Sequence, residues 1–326
     1  MDDFLQDLAP KFGTMSIAVV VFLAVIAAVL LLAERSPKSI RERVQIAVFA
    51  GPALLLLSIF LVYPALRTLW LSLFDRTGET FVGLANYAWV FADPQSFVTV
   101  RNTLIWVVLT PLLSTSIGLV YAILIDRSRF ESLAKSLLFA PVAISFVGAG
   151  IIWKFVYAQR PETSEQIGLA NQVRIWVGLE PMNFLNNAPL NTFFLIVVMV
   201  WIQTGFAMVV LSAAIKGIPT DQVEAAKLDG ANAWQMFRNV TVPAIRPALV
   251  VVLTTITIGV LKVFDIVRTM TGGQFDTSVV ANAMYEQSFR FGEPGRGGAL
   301  AVLIFALVIP VVLYNIRQLN ETRSIR

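Results

Sequence analysis

Lys262, Asp265 and Arg268 are ionisable residues set inside an otherwise apolar stretch, 247–269. A charge at the centre of a membrane-spanning helix costs about 2.5–3.5 kcal/mol on insertion scales, so three of them need an account. Their spacing, i, i+3 and i+6, puts them on neighbouring positions of one helix, where Asp265 can pair with either cation and the trio faces a bundle interior. Two roles fit: a lining or gating element on a transport path, and a structural ion pair near the interface. A second group, Trp201, Gln203 and Thr204, offers an aromatic face and hydrogen-bonding side chains, the two things a sugar needs for its ring surface and its hydroxyls. Hydrogen bonding between helices is the competing use of the same residues. A third group lies in a polar insert, 224–243, reading EAAKLDGANAWQMFRNVTVP, which carries Glu224, Lys227, Asp229 and Arg238 between two apolar stretches.

Composition limits what else is possible. The 326 residues include no His and no Cys, which excludes thiolate chemistry, disulfides, the usual zinc sites and histidine acid–base catalysis. No paired-carboxylate or nucleophile constellation is present either, so neither catalytic nor metal-ligating residues are expected. With 57% hydrophobic residues, 14% charged residues and a mean hydropathy of +0.74, the chain reads as a polytopic membrane protein. Its formal charge of +4 does not point to nucleic acid, because the basic residues are dispersed among loops.

The elements that must position these groups are helices. A span needs about 17–25 apolar residues, and the stretches 15–33, 46–74, 102–125, 136–157, 191–215, 247–269 and 298–316 supply about seven, for an all-α fold. Pro64 interrupts the second stretch. Asp2, Asp3 and Asp7 against a single Lys11 are the wrong charge for a signal peptide, so the first helix is retained with the N-terminus outside. The loops with Arg35, Lys38, Arg41 and Arg43, with Arg127, Arg129 and Lys135, and with Lys216, Lys227, Arg238 and Arg246 are then cytoplasmic. So is the C-terminus, with Arg317, Arg323 and Arg326. Within the longest external connection, 158–190, the positions Ile167, Ala170, Val173, Trp176 and Val177 predict a short amphipathic helix. The glycine-rich 270–297 predicts an irregular loop, and Gly148, Ala149 and Gly150 predict close helix packing.

The polar insert predicts two short helices with a break. Pro219 sets an entry, Thr220 and Asp221 are N-cap types, and Glu224 stands three after Asp221 as in a capping box. Gly230 tolerates the left-handed backbone at a helix end, so the first helix stops near Asp229 and the second starts at Ala231. Trp234 and Phe237 share a face of that second helix, which Pro243 and Pro247 should end. Small Ala225 and Ala226 allow another backbone to approach.

The sequence E-A-A at 224–226, Gly230, V-T-V-P ending at Pro243, and Ile218-Pro219 upstream closely resemble the EAA loop of bacterial ABC importer permeases. Val62-Tyr63-Pro64, S-L-F at 72–74, FVGLANY at 81–87, and KVFDIV followed by MTGG at 262–273 resemble the carbohydrate branch of that family. The resemblance implies a type I importer (MetI-like) core of six helices over 45–326, with 216–246 as the coupling-helix loop. Residues 1–44, an extra transmembrane helix and a basic loop, lie outside that core. Glu224, Ala225, Ala226, Asp229, Gly230 and Pro243 would then belong to a coupling element that docks into a groove of an ATP-binding subunit. Glu224 would meet basic residues there, and Gly230 would fix the angle between the two short helices. The resemblance also implies a second permease, two ATP-binding subunits holding ATP and Mg, and an extracytoplasmic sugar-binding protein, in a bacterial inner membrane.

No G-x-x-x-x-G-K-[ST] loop occurs, so the chain itself binds no cofactor and is not the enzyme of that assembly. The implied substrate is an α-glucoside or related disaccharide, maltose- or trehalose-like, with glycerol phosphate or a polyol derivative as the alternative. A stand-alone ion-coupled carrier is the rival class. The charged trio speaks for it, and the lack of an evident internal repeat speaks against it.

Overall fold

The computed structural model describes residues 15, 17, 19–25, 27, 41–126, 129–161 and 163–324. Most of the expected first helix 15–33, the N-terminus, Arg35, Lys38, Arg127 and Arg326 lie outside the described residues. Two compact units are present, 1–67 and 68–326. The first contains α1 (Arg41–Leu57), a π-turn at Ser58–Val62 and the start of α2 (Tyr63–Leu71); the chain is one apolar helix over Gln45–Leu71. Pro64 therefore does not interrupt the helix. A proline clashes with the carbonyl four residues back and removes a donor, and the wider π-turn just before it takes up both faults.

Among the described residues every regular element is helical, and a single bridge, Phe74 to Phe81, is the only extended pairing. The second unit contains α3 (Ala85–Ala92), α4 (Pro94–Ile125), α5 (Glu131–Phe139), α6 (Phe146–Val156), α7 (Leu169–Trp176) and α8 (Leu190–Lys216). It continues with α9 (Thr220–Leu228), α10 (Ala233–Met236), α11 (Val242–Leu261), α12 (Asp265–Met270), α13 (Val280–Tyr285) and α14 (Pro294–Ser324). Five described helices are long and apolar enough to cross a membrane: Gln45–Leu71, Pro94–Ile125, Leu190–Lys216, Ala233–Leu261 and Pro294–Gln318. The expected single span 136–157 is instead two helices bent by 104°, Glu131–Ala143 and Phe146–Val156. Pro141 in a tight turn and Ser145, whose hydroxyl accepts from the Gly148 N–H at 3.1 Å, end one helix and start the other.

The core forms where α4 lies on α8. Trp106, Leu195, Met199, Met208 and Leu211 are fully buried there. Gly118 lets the backbones touch: a methyl group on it would sit 2.7 Å from Ala207 Cβ and 2.9 Å from Met208 N. The run Gly148, Ala149 and Gly150 does pack, with Gly150 against Thr269 of α12. In α7 the anchor is polar: Asn171 is buried and exchanges hydrogen bonds with Met182 N and O, while Leu169, Val173 and Trp176 stay exposed.

The phrases at 72–74 and 81–87 prove to be one structural lock. Asn86 Nδ2 donates to the carbonyls of Ser72 at 2.9 Å and Phe74 at 2.7 Å, ending α2, and the Ser72 and Tyr87 hydroxyls are 2.6 Å apart. Between them Asp75 Oδ1 accepts from Thr77 Oγ1 at 2.8 Å and from the N–H groups of Thr77, Gly78, Glu79 and Thr80. The Thr77 hydroxyl and these N–H groups hold the Asp75 carboxyl at about 2. A folded value below the ordinary one means that the clamp is present above about pH 4 and is lost as pH falls through about 2. Asp75→Ala is expected to speed hydrogen exchange of the 77–80 amides at pH 7, and the gap from wild type should close only near pH 2.

Candidate coupling and transport site

The insert folds into an elbow of two short helices. Helix α9 ends at Leu228 with Asp229 as its cap, Gly230 takes φ +79°, the Gly230 N–H donates to Lys227 O at 3.0 Å, and the Ala231 N–H donates to Ala226 O at 3.0 Å. These two bonds make a complete Schellman end, which satisfies carbonyls that the helix leaves open. The expected box at Asp221 and Glu224 is not formed. Pro219 takes the cap position without a side-chain bond, so Thr220 and Asp221 already lie inside the first turn. The box forms instead at the second helix, between Asn232 and Gln235, with both bonds at 2.9 Å. That helix starts at Ala233 rather than Ala231.

Pro243 and Pro247 do not end the second helix either. A π-turn at Phe237–Thr241 precedes Pro243, as at Pro64, and the helix runs unbroken from Ala233 to Leu261. The elbow is therefore rigidly continuous with a span. Glu224, Ala225, Asp229, Gly230 and Pro243 are exposed and Ala226 is half-buried. Leu228 is 89% and Trp234 65% exposed, although Trp234 does meet Phe237, with ring centroids 5.5 Å apart. Beneath the elbow, Ile123, Asp126, Ile215, Met236 and Phe237 line a cleft of about 320 Å³.

The charged trio does not share a helix. Helix α11 stops at Leu261, Lys262 caps it, and Asp265 opens the separate α12. Arg268 turns to Glu286, 3.2 Å away, and stacks over Tyr285 at 5.1 Å, while Lys262 and Asp265 form no ion pair among the described residues. Glu286 lies in the expected irregular loop, which contains α13 and a π-turn at Glu286–Arg290. Trp201 and Gln203 do not share a face, since two residues turn a helix by about 200°. The Trp201 ring meets Trp153 edge-on at 5.7 Å, and the buried Thr204 hydroxyl donates back to Val200 O at 2.7 Å.

Two asparagines that the sequence did not single out hold the loop after α12. Asn102 Nδ2 donates to Asp276 O at 2.5 Å and Ser278 O at 3.0 Å, and Asn191 Nδ2 donates to Phe275 O at 2.7 Å. Phe275 and Asp276 have positive φ, 54° and 59°, a strained pair that these clamps stabilise. The only available signal was an amide near the start of each long span. Tyr157, Phe184 and Phe194 form an aromatic cluster beside them, with centroids 4.8 to 5.8 Å apart.

Residues 20–326 match the family described as binding-protein-dependent transport system inner membrane component. The chain belongs to that family. It is 49% identical over 278 residues to the osmoprotective compounds uptake permease protein GgtC of Synechocystis sp., covering 85% of this chain and 100% of the relative. It is 50% identical over 277 residues to the alpha-glucoside transport system permease protein AglF of Rhizobium meliloti, covering 85% and 82%. A chain of a bacterial alginate ABC transporter, solved with an alginate pentasaccharide-bound periplasmic protein, superposes with a TM-score of 0.73. That match covers 85% of this chain and 94% of the other at 22% identity, which establishes the shared fold. The family member is thus an all-helical ABC permease, an inner-membrane transport component.

Proposed function

We propose that the chain is one of two membrane subunits of an ATP-driven importer for a sugar, delivered by an extracytoplasmic binding protein. ATP and Mg are held and hydrolysed on two separate ATP-binding subunits; this chain is the path and the lever. The N-terminus lies outside and the elbow and the C-terminus lie in the cytoplasm, with 1–44 as an addition to the 45–326 core. The observation that carries the reading is the elbow itself, a polar structure continuous with α11 that exposes Leu228 and Trp234. Exposed apolar anchors on a polar element suit a protein partner.

Glu224, Asp229 and the small Ala225 and Ala226 contact that partner, Gly230 sets the angle, and Pro243 starts the shaft. Trp201, Gln203, Lys262, Asp265 and Arg268 remain candidates for the substrate path, while the inward bond of Thr204 supports packing. An α-glucoside is the favoured cargo, on the likeness to AglF. An osmoprotective compound is the second reading, favoured by nearly equal likeness to GgtC, and a glycerol-phosphate or polyol derivative is a cargo of that kind.

Purification from native membranes is expected to bring down ATP-binding subunits with the wild type, and Leu228→Asp combined with Trp234→Asp is expected to release them. Uptake by this chain alone in ATP-free vesicles would overturn the reading in favour of a solo carrier. Competition between maltose-like disaccharides and glycerol phosphate or polyols in the assembled system separates the two cargoes.

A further inference from the structure

The elbow leaves α8 immediately after a charged cluster that the import reading does not use. Lys216, the last residue of α8, donates through Nζ to Glu131 Oε1 at the first residue of α5, and lies 3.6 Å from Asp126 Oδ1 at the end of α4. Lys135 donates to the same Glu131 oxygen at 2.7 Å and to Ser212 Oγ at 2.5 Å. Glu131 and Lys135 are four residues apart, as are Ser212 and Lys216. Two rungs, one helical turn apart, therefore join the first turn of α5 to the last turn of α8.

The same two helices stay in contact beyond the rungs, where Gly205 of α8 meets the Leu138 carbonyl of α5. The contacts of 131 with 216, 135 with 212 and 138 with 205 all run in the antiparallel sense. The acidic side chains are shielded, with 28% of Glu131 and 18% of Asp126 exposed. Ion pairs of this kind add little net stability, because desolvation offsets attraction. What they do supply is a fixed relation between the helices they join.

We propose that Glu131 is a positioning residue for energy coupling: its carboxylate clasps α5 to the junction of α8 and the elbow, so that elbow movement carries α5. The proposal rests on the import reading above. Helix α5 is the near half of the bent span, and beyond its 104° bend α6 packs on α12 through Gly150 and Thr269. With the clasp closed, the elbow-side ends of α4, α5 and α8 move as one body. With it open, α8 shifts against a stationary α5 and ATP is hydrolysed without transport.

The test is the ratio of sugar imported to ATP hydrolysed by the reconstituted assembly. Glu131→Gln and Lys216→Met are each expected to lower that ratio about tenfold while hydrolysis continues. The double variant is expected to fall no further, because both changes open one contact. Lys216→Arg, which keeps the pair, should retain the wild-type ratio. An unchanged ratio in Glu131→Gln, or singles whose losses multiply in the double variant, overturns the clasp while the importer reading stands. Absence of ATP-driven uptake in the wild-type assembly overturns the importer reading, and the clasp with it.

If the single variants fail to assemble, the natural lack of cysteine allows Glu131→Cys with Lys216→Cys to be bridged by a short bifunctional thiol reagent. Recovery of assembly and ratio on bridging supports the clasp, and no recovery overturns it.

Discussion

Gly230→Pro is expected to abolish uptake while the protein inserts into the membrane at the wild-type level. The residue sits at φ +79°, and proline is fixed near −65°, so the substitution cannot be absorbed locally. Proline also removes the N–H that donates to Lys227 O, and it disfavours the helical conformation of the preceding Asp229, φ −71° and ψ 0°. Three faults at one position unlock the Schellman end, and α9 no longer meets α10 at the angle that the elbow requires. The spans on either side keep their own packing, which is why insertion survives.

Gly230→Ala separates conformation from space. Nothing lies within 4 Å of a methyl group placed there, so its cost is the left-handed backbone alone, about 1–2 kcal/mol. Partial uptake is expected from alanine and none from proline, measured as ATP-driven sugar accumulation at matched membrane content. Wild-type uptake in Gly230→Pro would remove the elbow angle from the mechanism.

How much of this was legible beforehand depended on the range of the interaction. Gly230 was readable because a glycine directly after a helical run has a local cause. The cap was misplaced for an equally local reason: Pro219 pushed Asp221 into the first turn, and the Asn232 and Gln235 pair stood unremarked. Pro64, Pro243 and Pro247 were misread because the proline rule assumes an α-helical ladder, and two of the three follow a π-turn that no residue type announces. The stop at Lys262 has no glycine or proline to mark it. Arg268 finds its partner 18 residues away in sequence, on a helix hidden in a glycine-rich segment. Side-chain destinations such as the Thr204 bond to Val200 O, or the Asn102 and Asn191 clamps, depend on which helices meet, and periodicity does not say.

Helix meeting points are where the second large effect is expected. Gly205→Leu should leave little folded protein. A Cβ at that position would stand 2.4 Å from Leu138 O and 3.0 Å from Phe139 Cα, so the atoms in the way are backbone on both sides. No rotamer change relieves such a clash; α5 and α8 must separate, and overpacking of this kind costs about 1–3 kcal/mol or more. Separation also pulls apart Lys135 from Ser212 and Lys216 from Glu131, about two to three turns farther along α8.

Gly259 in α11 is the matched control, since nothing lies within 4 Å of a Cβ there. Gly259→Ala removes the entropy that glycine loses in a helix and is expected to stabilise by about 0.5–1 kcal/mol, a rise of roughly 2 °C in the unfolding midpoint. Thermal unfolding in detergent, followed by size-exclusion of the remaining monodisperse protein, reads both. A Gly205→Leu protein that is as monodisperse and as stable as wild type would mean that α5 is not held against α8 in the membrane, because a leucine there is compatible only with helices that stand apart.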